Sequence, residues 1–110
     1  MGRNDLNAGT MDVLILKAIS TGHQHGYGIG VWLRHNSQSL VNAGEGTVYT
    51  VLQRLQRKEW VGSKWGVTDT GRRARLYTLT AEGKRHLERE ADRLARYSET
   101  ILTMLNDATA

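Results

Sequence analysis

The chain is 110 residues long, the size of a single domain with one modest hydrophobic core. It has 15 Lys and Arg residues against 11 Asp and Glu residues, a net charge of +4, so polyanions are plausible partners. The absence of cysteine excludes disulfides, thiolate zinc sites and cysteine nucleophiles. The longest aliphatic run, Val13 to Leu16, is too short to cross a bilayer, and the first residues lack the apolar stretch of a signal peptide. We therefore expect a soluble cytoplasmic protein with no membrane contact.

Two helices are predicted in the first third of the chain. Thr10 is a suitable N-cap for the first helix, with Asp12 in its first turn, and Gly22 ends it. The apolar residues of this short helix lie on more than one side, so more than one face must be covered. We therefore expect Leu14 to contact a partner subunit as well as the core. The second helix is expected from Gly26 to His35.

The third predicted helix, from about Gly46 to Lys58, has one apolar face and one polar face. On the polar face, Thr50, Gln53, Arg54 and Arg57 recur at helical spacing and form a single stripe. Gln can bond adenine, Arg can bond guanine, and Thr can contact a thymine methyl group or a phosphate, so this stripe suits the DNA major groove. The alternative is the solvated outer face of an ordinary helix.

A hairpin is predicted next, from two strands, Val61–Val67 and Ala74–Leu79, that are joined by the turn Asp69-Thr70-Gly71. Arg72 and Arg73 lie at its tip, where they could bind a phosphate or enter a minor groove. The alternative is an exposed turn made soluble by charge. Positive charge is concentrated in this part of the sequence, where the basic residues are Arg54, Arg57, Lys58, Lys64, Arg72, Arg73 and Arg75.

A long last helix is predicted to follow Thr80, its N-cap, and to run to about Asn106. Its length exceeds the width of the domain that precedes it, so one subunit cannot bury all of its apolar residues, and homodimerisation is the economical solution. We therefore expect residues 1–79 to form a DNA-binding domain and residues 80–110 a dimerisation helix. The apolar seam steps by 4 and 3 residues, as in a coiled coil, through Leu87, Ala91, Leu94, Ser98, Ile101 and Leu105.

The remaining polar and aromatic residues give weaker signals. Tyr27 and Tyr49 could donate hydroxyl hydrogen bonds to phosphate or could simply pack in the core. His23 and His25 are spaced like metal ligands, but no nearby residue completes a site, and no catalytic motif occurs. We therefore expect no metal, no cofactor and no enzyme activity. We expect Trp32, Trp60 and Trp65 to pack in the core or the hairpin, with binding of an aromatic ligand as the alternative. We expect His86, which is isolated in the sequence, to face solvent.

Several short motifs together resemble the PadR family of bacterial transcriptional regulators over about residues 9–105. They are His25-Gly26-Tyr27-Gly28, Gly46-Thr47-Val48-Tyr49, Leu52-Gln53-Arg54-Leu55, Trp65, Gly71-Arg72-Arg73-Ala74-Arg75-Leu76-Tyr77 and Leu79-Thr80-Ala81-Glu82-Gly83. One departure is Glu59-Trp60-Val61, where the family usually has Gly-Leu-Ile. The resemblance implies a homodimeric repressor that a small aromatic effector releases from its operator.

The sequence thus predicts a mainly α protein with a small β-hairpin, a winged helix-turn-helix followed by a long dimerisation helix. We expect a sequence-specific regulator that binds double-stranded DNA at an inverted repeat. The alternative is a winged-helix module that binds proteins and never binds DNA. With the family resemblance included, the expected DNA contacts are Tyr27, Thr47, Tyr49, Thr50, Gln53, Arg54, Arg57, Arg72, Arg73 and Arg75. The expected dimer contacts are Leu14, Leu87, Leu94, Ile101 and Leu105.

Overall fold

The computed structural model describes residues 6–107. The first five residues of the expected DNA-binding domain and the last three of the expected dimerisation helix lie outside the described residues. Four helices and one antiparallel hairpin follow one another in the predicted order. Their bounds are α1 (Ala8–Ser20), α2 (Gly26–Asn36), α3 (Glu45–Arg57), β1 (Val61–Val67), β2 (Arg73–Leu79) and α4 (Ala81–Leu105). This mainly α fold with a small hairpin confirms the predicted fold class.

The first helix is the centre of the molecule and contacts α2, α3, β2 and α4. Its N-cap is Asn7, whose side chain accepts a hydrogen bond of 2.9 Å from the Thr10 backbone N–H. The prediction that Thr10 caps the helix is therefore wrong, and Asp12 lies in the second turn, where it is buried. Since α1 is covered on several sides, its apolar character all round is explained within one subunit.

One hydrophobic core joins the three N-terminal helices to the base of the hairpin. Leu14 and Leu87, both expected at a subunit interface, are half-buried and pack against this core. The largest fully buried side chains are Ile15, Leu16, Ile29, Val48, Leu52, Leu55 and Val61.

Helices α1 and α3 end in the same hydrogen-bonded turn, and α2 ends in a related turn in which the Ser39 N–H bonds to the Arg34 carbonyl at 2.8 Å. In α3, the N–H of Trp60 bonds to the carbonyl of Leu55 at 3.0 Å, and the N–H of Glu59 bonds to that of Gln56 at 2.9 Å. This Schellman motif requires a left-handed residue just after the helix, a position that glycine fills best. Gly22 fills it after α1 with φ 105°, but Gln38 and Glu59 fill it after α2 and α3, with φ of 53° and 64°.

The two strands pair from Val61 with Leu79 to Val67 with Arg73, and we call this hairpin the wing. At its tip, Gly71 has φ 85°, which suits glycine, and its N–H bonds to the Thr68 carbonyl at 2.9 Å. At its base, the wing is fixed to the segment between α1 and α2 by a 2.8 Å bond from the Tyr77 N–H to the Gln24 carbonyl.

The start of α4 packs tightly on the turn that follows α3. Thr80 caps α4 as predicted, accepting from the Gly83 N–H at 3.0 Å, and its own hydroxyl donates to the Glu59 carbonyl at 2.7 Å. A Cβ atom at Gly83 would lie 2.0 Å from the Trp60 carbonyl oxygen, so only glycine fits there. His86 stacks on the Trp60 ring, with centroids 3.7 Å apart, so the expectation that it faces solvent is wrong.

Helix α4 has 25 residues, about 37 Å, and the side chains of its distal half are exposed apart from the half-buried Leu94. The apolar side chains exposed there are Tyr97, Ile101, Leu102, Met104 and Leu105. No helix between residues 6 and 107 combines the length and apolar character that crossing a membrane requires.

Candidate nucleic-acid interface

Helix α3 divides into a buried face and an exposed face as its sequence predicts. Thr47, Thr50, Gln53 and Arg57 are exposed, whereas the apolar residues of the opposite face are buried in the core. The Thr50 hydroxyl donates to the Gly46 carbonyl at 2.9 Å, which leaves its methyl group and oxygen lone pairs for a ligand. We call α3 the recognition helix, because its exposed face has Thr, Gln and Arg side chains, the residue types that suit major-groove contact.

Arg54 is placed differently from the other predicted contacts of the recognition helix. It is half-buried, and its guanidinium donates to the carboxylate of Asp12 in α1. The Asp12 carboxylate is itself nearly inaccessible to solvent. In the free protein, Arg54 therefore ties the recognition helix to α1 rather than lying exposed beside Gln53 and Arg57.

Tyr27 and Tyr49 lie across a groove from the wing. Their side chains are 63% and 45% exposed, so neither is an ordinary core residue. We call this space, of about 640 Å³, the wing groove. Its lining combines the first turns of α2 and α3 with the inner face of the wing and comprises His25, Gly26, Tyr27, Glu45, Tyr49, Trp65, Thr68, Asp69, Thr70, Arg72, Arg73, Ala74 and Arg75.

Trp65 lines this groove on the side formed by the wing. It is paired across the strands with Arg75 and is 55% exposed. The guanidinium carbon of Arg73 lies 4.7 Å from the centre of the Trp65 ring, and that of Arg75 lies 5.3 Å from it. Both distances are within the range of cation–π attraction.

Arg75 has further partners that hold it beside the recognition helix. Its Nη2 donates to the Ser63 hydroxyl at 2.9 Å. Burial raises the pKa of the neighbouring Tyr77 hydroxyl and Tyr49 adds to this effect, whereas Arg75 lowers it through its charge and a hydrogen bond. Tyr77 therefore stays protonated and uncharged at neutral pH, so it does not neutralise the positive charge of Arg75.

The wing groove has more positive than negative side chains. Arg72, Arg73 and Arg75 line it, against the two acids Glu45 and Asp69. No ion pair to an acid is formed by these three arginines within residues 6–107. A phosphate in this space would therefore meet guanidinium groups whose charge no carboxylate in residues 6–107 neutralises by an ion pair.

The two candidate metal residues have other roles. The His25 ring nitrogen accepts from the Gly28 N–H at 3.2 Å as the N-cap of α2, and the His23 ring lies 3.1 Å from the Thr21 hydroxyl. Across the described part of the chain, no group of three or more His, Cys, Asp or Glu residues is placed to hold a metal.

Two features of the site were not recognised from the sequence. Asp12 was interpreted as a helix-dipole residue, since nothing local indicates that it is buried against a residue 42 positions away. Trp65 was assigned to packing, although its alternation with Ser63 and Val67 on one strand face was a usable signal. Both roles depend on which elements meet in three dimensions.

Comparison with known proteins agrees with this architecture. Residues 15–89 match the model of the transcriptional regulator PadR-like family. An uncharacterized protein X of Lysinibacillus sphaericus is 30% identical over 101 residues, covering 92% of this chain and 93% of that protein. A PadR family transcription regulator of Clostridium difficile is 28% identical, with a TM-score of 0.75 over 87% of this chain and 98% of its own.

A more distant structural relative was solved with its ligand. Bacillus subtilis PadR in complex with operator DNA is 22% identical, with a TM-score of 0.65 over 74% of this chain and 46% of its own, a likeness that shows a shared fold. The family and its structural relatives are regulators and not enzymes, as predicted. Since the family model matches more than half of its residues, the chain belongs to the PadR-like family of transcriptional regulators.

Proposed function

We propose that this regulator is a homodimeric, sequence-specific DNA-binding repressor. The recognition helix enters the major groove, with Thr47, Thr50, Gln53 and Arg57 toward the bases and flanking phosphates. Arg54 supports the same contact by holding the recognition helix on α1. The observation that most strongly supports the proposal is the wing groove, where three arginines that form no ion pair within residues 6–107 face two exposed tyrosines beside the recognition helix.

The wing supplies contacts to the sugar-phosphate backbone in this proposal. Arg72 and Arg73 are exposed at or beside its tip, and Arg75 lies deeper in the wing groove. Tyr27 and Tyr49 face them and can donate hydroxyl hydrogen bonds to the same strand of DNA. Such contacts fix the position of the protein on the duplex, while the recognition helix provides the sequence preference.

Dimerisation through α4 sets two recognition helices on one duplex. The distal half of α4 exposes Ile101 and Leu105 of the predicted seam, and Tyr97, Leu102 and Met104 widen the apolar surface. Leu94 is half-buried, and Leu14 and Leu87 contribute only the parts that their own core leaves uncovered. The operator is then an inverted repeat whose half-sites lie about one helical turn apart, or a multiple of it.

Repression follows if the dimer occupies its operator and blocks transcription there. A small aromatic compound is the effector that the family resemblance implies, and Tyr97 is the only Tyr, Trp or Phe of α4. An effector that binds at the dimer helices would weaken operator binding by changing the separation of the two recognition helices.

Charge-removal variants test the proposal against the alternative of a protein-binding module. The double variant Arg72→Ala/Arg73→Ala removes two charges from the wing, and the matched double variant Arg89→Ala/Arg96→Ala removes two from exposed positions on α4. Binding to a random-sequence duplex is measured by fluorescence anisotropy over a series of salt concentrations.

We expect the wing variant to bind about tenfold more weakly and to lower the salt slope by about 1 for each phosphate that it no longer neutralises. The α4 variant should bind like the wild type. Equal losses in both variants would contradict the assigned surface. A wild-type protein indifferent to duplex DNA and to heparin at low salt would instead favour the protein-binding module.

A further inference from the structure

Trp65 is an exposed aromatic residue that the proposed DNA contacts leave without a role. More than half of its surface is accessible, and it lies beyond the part of the wing that packs on the core. Core packing therefore does not account for a residue of this size here. Its closest charged neighbours are Arg73 and Arg75, at 4.7 and 5.3 Å from the ring centre.

A flat aromatic surface changes what an arginine side chain can do. A free arginine samples many rotamers, and that freedom is lost when it binds a phosphate. Stacking on an indole ring holds the guanidinium plane before any ligand arrives, while the N–H groups at its edge stay available. The 2.9 Å hydrogen bond from Arg75 to Ser63 restricts the second arginine further.

We propose that Trp65 is a positioning residue that holds Arg73 and Arg75 as one preformed phosphate site in the wing groove. The hydroxyl groups of Tyr27 and Tyr49 complete the site from the opposite wall. The inference rests on the proposed function, since the ligand is a phosphate of the DNA backbone. Trp65 itself does not need to touch the DNA.

Geometry also suggests a competing role for Trp65. An exposed tryptophan on a wing could pack directly against a sugar or insert into a minor groove. The two roles differ in one respect. A positioning residue acts only through its arginines, whereas direct contact is independent of them.

A double-mutant cycle separates these roles. Trp65→Leu is made in the wild type and in the Arg73→Ala/Arg75→Ala background, and each protein is titrated with a random-sequence duplex over a series of salt concentrations. Trp65→Phe, which keeps an aromatic face, is the rescue variant. Thermal unfolding of each protein checks the fold, and Trp65→Met replaces Trp65→Leu in both backgrounds if Trp65→Leu does not fold.

We expect Trp65→Leu to weaken binding by about three- to tenfold in the wild type and to reduce the salt slope. It should have no further effect once the two arginines are absent, and Trp65→Phe should recover most of the loss. An equal loss from Trp65→Leu in both backgrounds, or a Phe variant as weak as the Leu variant, would overturn the inference. A wild-type protein that binds no duplex would contradict the proposed function itself, and the inference with it.

Discussion

Arg54 of the recognition helix forms an ion pair with the carboxylate of Asp12, a buried residue of α1. The pair connects the surface proposed to contact DNA with the helix at the centre of the core. Breaking a buried pair from one side leaves a charge without compensation, which costs more than the pair itself contributes.

The first prediction concerns the stability that this pair provides. Arg54→Ala should lower the free energy of unfolding by about 2 kcal/mol, because Asp12 is left buried and unpaired. Adding Asp12→Ala should restore part of the loss, and urea unfolding of the two single variants and the double variant measures the coupling. Purely additive losses would show that the two side chains do not depend on each other.

The second prediction concerns the left-handed residue after the recognition helix. Glu59 has φ 64°, a left-handed conformation that glycine adopts without the steric cost of a side chain, so Glu59→Gly should stabilise the protein by about 0.5–1 kcal/mol. Gly22→Ala is the matched reverse change, since Gly22 has φ 105° in the same motif after α1, and it should destabilise the protein. Thermal unfolding measures whether Glu59→Gly raises the stability and Gly22→Ala lowers it. A destabilised Glu59→Gly would count against this account of the turn.

The third prediction concerns the close approach of α4 to Trp60. Gly83→Ala should cost about 2 kcal/mol or more, because the new Cβ would lie 2.0 Å from the Trp60 carbonyl oxygen and α4 would have to move. Gly46→Ala is the control, since a Cβ there meets open space within a helix, and stability should be unchanged or slightly higher. Similar denaturation midpoints for the Gly83 variant and the wild type would mean that the junction is not tight.

The fourth prediction concerns the pH dependence that His86 gives to stability. Burial against Trp60 lowers its pKa below the usual 6.5, and Arg89 and Lys58 act in the same direction, while Glu90 and Asp12 oppose it. The folded state therefore binds the proton less readily than the unfolded state, and stability is lost as pH falls from about 6.5 through the lowered pKa.

His86→Phe keeps an aromatic ring on Trp60 without a titrating group. The stability difference between this variant and the wild type should be constant above pH 6.5 and should shift in favour of the variant as the pH falls. A difference that stayed constant through the acid range would contradict the assigned burial.

The fifth prediction concerns the apolar surface of α4. Ile101→Lys should convert the protein to monomers and weaken DNA binding, because a charge would replace a side chain of the proposed seam. Thr103→Lys, about 200° around the helix, is the control and should remain dimeric. Sedimentation velocity distinguishes the two, and an intact dimer for Ile101→Lys would argue against the seam.

Periodicity along the chain predicts several of the elements, most clearly α3, where Val48, Val51, Leu52 and Leu55 are all buried. Local hydrogen-bonding patterns were less decisive. Asn7 and Thr10 are both good N-caps, and the helix begins after Asn7, whose side chain accepts from the Thr10 N–H.

The sequence predicts which residues belong to the candidate site but not which of them contact one another. The stripe on α3 gave Thr50, Gln53 and Arg57 as exposed residues, but it could not show that Arg54 reaches Asp12 in α1. His86 was expected in solvent because it is isolated in sequence, whereas the stack on Trp60 arises from the fold. Contacts between distant segments decide these roles, and a single sequence has no local pattern for them.

Selection of duplexes from a random-sequence pool tests the central claim most directly, that two recognition helices of one dimer contact one duplex. We predict an enriched inverted repeat whose half-sites are centred about 10 base pairs apart or a multiple of that spacing. Enrichment of no sequence, or of a single unrepeated site bound by one subunit, would contradict the claim.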